Sequence, residues 1–149
     1  MDNTQIPKEV FRIIVADDDF EDFQLIKKTF LENEVDVHIS HVENGQYLMD
    51  ILTAQSKHPK LGNLPHIILL DLNMPRKTGL EVLKEIKENS LLSKILIIIF
   101  TTSTSSTDIK KAYELGANCY VTKPQSASEW TQKIGMLGRF WMECVKLPA

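Results

Sequence analysis

Along the chain, short aliphatic runs alternate with stretches in which apolar residues recur every three or four positions. Val10 to Ala16 (VFRIIVA) has the first character. Phe23, Ile26 and Phe30, with Leu31 beside them, have the second, which predicts a strand followed by an amphipathic helix. Val35, Val37 and Ile39 alternate with Asp36, His38 and Ser40, as a strand buried on one face would. Tyr47, Leu48, Ile51 and Leu52 then predict another helix, and SKHPKLGNLP (56–65) a turn-rich loop. Ile67 to Asp71 is a third strand, and Leu80, Val82, Leu83 and Ile86 mark the next helix. Ile95 to Thr101 is a fourth strand, followed by TTSTSST, a helix from about Asp108 to Leu115 and a short strand Cys119 to Thr122. A last helix opens at Ser126. Strand and helix alternate five times, and the strands are nearly continuous aliphatic runs. That pattern argues an α/β doubly wound five-stranded parallel sheet with helices on both faces.

Composition narrows the function classes without changing the fold. The chain has 149 residues, 43% hydrophobic and 25% charged, which suits one globular domain, 1–149. Net charge is −3 and no block of Lys or Arg occurs, so nucleic acid is not an expected partner. No apolar run approaches a membrane span and the amino terminus has no signal-peptide layout, so a cytoplasmic setting is expected. Cys119 and Cys144 lack CxxC or metal-type spacing, which agrees with a reducing compartment. His38, His41, His58 and His66 show no ligand spacing and read as surface or loop residues.

Doubly wound sheets bind ligands at the carboxyl ends of their strands. Here those ends carry Asp17-Asp18-Asp19, Asp71, Thr101-Thr102 and Thr122-Lys123. Three adjacent carboxylates facing a fourth repel one another unless a cation sits among them. Mg²⁺ is the natural occupant, since it prefers oxygen ligands, needs few carboxylates and keeps waters for an incoming phosphate. Lys123 would complement that phosphate's remaining charge. Each residue alone has a plainer account: Asp17 to Asp19 as caps and first-turn acids of the following helix, Asp71 as a loop cap, Lys123 as a solvated charge. Asp19 is expected to serve only as a cap, and Ser105-x-x-Asp108 resembles a capping box. The plain accounts weaken together, because all these residues lie at one edge.

The pattern ADDD near the start, DLNMPxxxG in the middle, a strand-terminal Thr and a late YVTKP resembles the receiver domain of two-component response regulators over practically the whole chain. The spacings from Asp71 to Thr101 and from Thr101 to Lys123 are normal for that family. The resemblance implies a flavodoxin-like sheet of order 2-1-3-4-5. It also implies that Asp71 accepts a phosphoryl group from a phosphohistidine of a sensor histidine kinase. Asp17 and Asp18 would be the acidic pair that holds Mg²⁺, with Asp71 and the backbone carbonyl of Asn73 as further ligands. Thr101 and Lys123 would contact the phosphoryl oxygens, and Pro75 and Gly79 would shape the loop after Asp71. Tyr120 fills the position of the switch aromatic that moves with Thr101, although on pattern alone it is an ordinary surface aromatic. Arg76 and Lys77 read as solvated loop charges beside a kinase-facing loop.

Two features depart from the commonest receivers: the longer separation of Asp18 and Asp71, with the surplus in 56–65, and Thr102 where a smaller residue is frequent. At the carboxyl end, Ser126-x-x-Glu129 reads as a capping box. Trp130, Ile134, Leu137 and Trp141 then make one apolar stripe, and Met136, Phe140 and Cys144 a second. Two stripes exceed what a helix lying on a sheet buries, so the helix and tail (126–149) are expected to form a homodimer interface with Met136, Phe140, Trp141 and Cys144 in it. The loop and tail resemble the small stand-alone regulators of bacterial phytochrome-type histidine kinases. No output domain is expected beyond Ala149, so the signal is expected to leave through a downstream protein target. Two alternatives stay open: a phosphorylation-independent adaptor of receiver shape, and a small phosphatase with Asp71 as nucleophile. The second usually places an acid two residues after the nucleophile, where this chain has Asn73.

Overall fold

The computed structural model describes residues 11–33, 36–58 and 63–144. Val10, Val35, positions 59–62 of the middle loop and the tail 145–149 lie outside the described residues. Strands β1 (Phe11–Ala16), β2 (Val37–Val42), β3 (Ile67–Leu70), β4 (Leu96–Thr101) and β5 (Cys119–Thr122) alternate with helices α1 (Phe20–Glu32), α2 (Gly45–Lys57), α3 (Gly79–Glu88), α4 (Ser106–Glu114) and α5 (Ala127–Arg139). The sheet is parallel throughout, in the order β2-β1-β3-β4-β5. That is the order the resemblance implied.

The continuous aliphatic strands are explained by their two buried faces. Side chains alternate across a strand, so Ile14, Ala16, Ile68, Leu70, Ile97 and Ile99 face one way and meet Leu48 and Leu52 of α2 and Val82, Leu83 and Ile86 of α3. Ile13, Val15, Ile67, Leu69, Ile98 and Phe100 face the other way, onto Phe23, Ile26 and Phe30 of α1 and Trp130 and Ile134 of α5. Two cores are thus built on one sheet, and β2 at the edge is only half buried, as its alternation suggested.

Several local expectations change. Tyr47 stands exposed, because α2 turns Leu48, Met49 and Leu52 inward instead. Ser105 caps α4 by accepting from the Asp108 N–H, but the Asp108 carboxylate takes the Ser103 hydroxyl at 2.6 Å rather than closing a box. The complete capping box belongs to α3, between Thr78 and Glu81. Two histidines have structural partners, His41 in a strand rather than in a loop and His66 in the loop just before β3. His41 lies in β2, stacked on Phe23 with ring centroids 4.7 Å apart. The half-buried His66 accepts the Arg12 N–H on its Nδ1 at 3.0 Å, and burial pushes its pKa down, helped by the Arg12 charge. A neutral imidazole is what that hydrogen bond needs.

Candidate functional site at the carboxyl ends of the strands

In the strand order, β1 and β3 are neighbours whose following helices lie on opposite faces of the sheet, which makes the rim between them the topological switch point. Backbone hydrogen bonds carry the ladder one residue past the strands there. Asp17 N–H donates to Val42 at 3.0 Å, Asp71 N–H to Ala16 at 2.9 Å and Lys123 N–H to Thr101 at 2.7 Å. Each functional side chain therefore leaves the sheet from a fixed peptide, not from a loose loop.

The loop after Asp71 is held just as closely. The Asp71 Oδ1 accepts from the Asn73 N–H, and Gly79 N–H returns to the Leu72 carbonyl at 3.0 Å. Between them Arg76 takes a left-handed φ of 69°. A Cβ on Gly79 would stand 2.2 Å from the Asp71 carbonyl oxygen, so only glycine lets α3 begin that close to the acid. On the other side, Asp19 caps α1 by accepting from the Glu21 and Asp22 N–H groups, while its own N–H donates to Asp17 Oδ1.

Four side chains converge in the middle of this rim. The Lys123 ammonium, on a side chain only 5% exposed, donates to Asp17 Oδ2 at 2.7 Å, Asp22 Oδ2 at 2.8 Å and Asp71 Oδ2 at 3.1 Å. Burial lowers the affinity of this amine for its proton, but the hydrogen bonds to Asp17 and Asp22 and the charges of Asp17 and Asp71 outweigh it, and its pKa ends above the ordinary lysine value. Asp17 goes the same way for a different reason. Burial pushes its carboxyl up to about 6, against the hydrogen bonds from Lys123 and Asp19 that pull it down. Thr101 is wholly buried beside them, and its Oγ1 accepts the Ser103 N–H at 3.4 Å. Tyr120 donates its hydroxyl to the Ser103 carbonyl at 2.9 Å, so Thr101 and Tyr120 both report on the same short segment.

The sequence-derived residues thus do come together. Asp17, Asp18 and Asp71 each offer a carboxylate oxygen, and these atoms all lie within 4.8 Å of one another. Asn73 and Thr102 are exposed at the mouth, with Thr102 lining a cleft of about 360 Å³ that opens onto Lys123 and Pro124. Asp22 was not foreseen in the site. Its one available signal was position, in the first turn of α1 directly after the acidic run Asp17 to Asp19. His41 was not foreseen either: its Nε2–H donates to the Asp17 carbonyl at 2.7 Å.

The family model described as the response regulator receiver domain matches residues 13–135. The chain belongs to the response regulator receiver family. This receiver is 34% identical over 137 residues to the response regulator Rcp1 of Synechocystis sp., a match that covers 92% of each chain. The crystal structure of the Mn²⁺-bound form of Rcp1 superposes with a TM-score of 0.85 over 93% of this receiver and 99% of that chain. The structure of the phosphorylated cyanobacterial phytochrome response regulator RcpA, 32% identical, superposes with a TM-score of 0.86 over 94% and 99%. The phytochrome-regulator resemblance of the sequence is thus shared by its similar proteins. Among the described residues of this receiver, no helix is long and apolar enough to cross a membrane.

The dimer-interface candidates separate spatially. Met136 and Phe140 are 57% and 53% exposed and line, with Tyr113, Tyr120 and Val121, an apolar groove of about 580 Å³ between α4, β5 and α5. Cys144 is exposed beyond them. Trp141, within the π-helical turn Phe140–Cys144, faces the other way, onto the α1/α5 core with Trp130, Ile134 and Leu137, the stripe it shares in the sequence.

Proposed function

We propose that this receiver is a phosphoacceptor signalling protein in which Asp71 takes a phosphoryl group from a phosphohistidine of a sensor histidine kinase, possession of the group switching self-association or partner binding. The observation that carries the reading is the buried Lys123 ammonium 3.1 Å from Asp71 Oδ2, joined across the sheet to the same rim as Asp17.

In the transfer, an Asp71 carboxylate oxygen forms the new O–P bond as the donor's N–P bond breaks, and the imidazole leaves with the electron pair and takes up a proton. A carboxylate nucleophile has no proton to lose, so the site needs no general base. What it needs is positioning and charge neutralisation, because phosphoryl transfer passes through a loose transition state. The Asp71 peptide is fixed by Ala16 and by the Gly79 turn, which supplies the positioning. Lys123 supplies one positive charge. Asp17, Asp18 and Asp71 fit Mg²⁺ by the chemistry and spacing of their oxygens, and the Asn73 carbonyl would add a further oxygen ligand. When bound, the ion would offset the remaining repulsion between the acids and the phosphoryl oxygens. The Thr101 hydroxyl, once it leaves the Ser103 N–H for a phosphoryl oxygen, frees the segment that holds the Tyr120 hydroxyl, and that coupling is the switch. Hydrolysis of the acyl phosphate by water resets it. The protein is on this reading not an enzyme toward other substrates. Its setting is cytoplasmic, where a kinase of the phytochrome type would meet it.

Incubation with acetyl phosphate and Mg²⁺ is expected to give a phosphoryl-sized mass increase that hydroxylamine removes, that EDTA prevents and that Asp71→Asn abolishes, read by intact-protein mass spectrometry. Steady turnover of phosphomonoesters would instead favour the phosphatase, and no adduct the adaptor.

The groove of Tyr113, Met136 and Phe140, together with the helix and tail (126–149), is the proposed homodimer surface of the single domain, supported by its concentration of exposed large apolar side chains. Phe140→Asp is expected to shift the protein to monomer in light scattering at concentrations where the native chain associates. A variant that associates unchanged would move the interface elsewhere.

A further inference from the structure

Resting on the reading of Asp71 as phosphoacceptor, we propose that Asp22 is a positioning residue that restrains the Lys123 ammonium and so limits how tightly a phosphoryl group is held on Asp71. An ammonium has three N–H donors, and all three of this one are taken, by Asp17, Asp22 and Asp71. The contact to Asp71, at 3.1 Å, is the longest of the three; Asp17 and Asp22, at 2.7 and 2.8 Å, hold the ammonium to the far side.

A phosphoryl group on Asp71 brings oxygens that call on the same donors. Asp17 belongs to the acid cluster that fits a divalent ion, so a bound ion would share its charge. Asp22 lies outside that cluster, and its carboxylate competes directly for the ammonium. Its reach toward Asp71 is limited to that of a short side chain, because its own peptide is tied by the Asp19 cap at the first turn of α1. The plainer role of a first-turn acid, complementing the helix dipole, does not require this orientation. Glu21 next to it serves that role exposed to solvent, whereas the Asp22 side chain is only 19% exposed and turned onto a residue from the far end of the sheet.

Asp22→Asn removes the competing charge and keeps the shape. In the full chain with Mg²⁺, its affinity for beryllofluoride by titration calorimetry is expected to rise about threefold to tenfold over the native protein, the scale of one charge-assisted hydrogen bond partly exposed to water. Asp22→Glu keeps the charge and is expected to bind as the native protein does, with both variants melting cooperatively. Equal or weaker binding by Asp22→Asn, or an equal gain in Asp22→Glu, overturns the inference alone. Should the native protein bind no beryllofluoride, or Asp71→Asn bind it equally well, the phosphoacceptor reading falls and this inference with it.

Discussion

Gly79→Ala is expected to cost about 3 kcal/mol of folding stability, the upper range of overpacking, and to slow phosphorylation by acetyl phosphate at the same time. The added methyl would stand 2.2 Å from the Asp71 carbonyl oxygen and 2.7 Å from the Leu72 Cα. Both neighbours are backbone, and neither can rotate away as a side chain would. Relief requires α3 to withdraw or the Asp71 peptide to tilt. A tilt breaks its 2.9 Å hydrogen bond to Ala16, which is what aims the carboxylate at Lys123. Urea denaturation should show a lower midpoint with an unchanged slope. Gly135→Ala is the internal control. There a Cβ meets the Asn33 side chain at 3.4 Å, an ordinary contact, and the interior of α5 gains helix propensity worth roughly 0.5–1 kcal/mol. A Gly79 variant as stable as the Gly135 variant would show that the turn tolerates displacement and does not position the acid.

Lys123→Met should be the second severe change, with a loss of about 3–5 kcal/mol, because removing one partner of a buried ionic cluster leaves the other charges without compensation. Asp17 and Asp71 are nearly as enclosed as the lysine, at 3% and 7% side-chain exposure, so water cannot replace the ammonium. The deficit has a signature beyond its size. If Asp17, Asp18 and Asp71 take a divalent cation, Mg²⁺ should raise the melting temperature of the variant by more than it raises that of the native protein, since the ion then supplies positive charge to the acids that have lost Lys123. The adduct with acetyl phosphate should be lost or slowed by orders of magnitude in either case. A variant that melts with the native protein, with or without Mg²⁺, would mean that the three hydrogen bonds of Lys123 contribute little to the fold.

Both predictions depend on contacts that differ in how far they could be read from the chain. The strands were legible because a strand covered on both faces must be apolar at every position, and Ile67 to Leu70 and Ile97 to Phe100 are so. The helices were legible from their inward stripes, except where one residue of a stripe, Tyr47, could be shed to solvent without uncovering the core. The rim acids were legible through a topological rule: a parallel sheet puts every strand's carboxyl end on one edge, so Asp17, Asp71, Thr101 and Lys123 had to be neighbours once the strands were placed. Caps were less so. Asp108 could equally accept from its own helix or from Ser103, and only the path of the TTSTSST segment chose.

By itself, then, the sequence determined the alternation, the two-faced sheet and the edge on which its acids and its lysine would meet, since periodicity and strand polarity are properties of consecutive residues. Only the tertiary structure decided which carboxylates the Lys123 ammonium meets, that Asp22 of α1 is one of them, that His41 braces the Asp17 carbonyl, and that Trp141 parts from Met136 and Phe140 to pack on the core. Those outcomes turn on distances of about an ångström between segments far apart in the chain. Such distances are set by strand register and helix docking, which no local pattern of residues records.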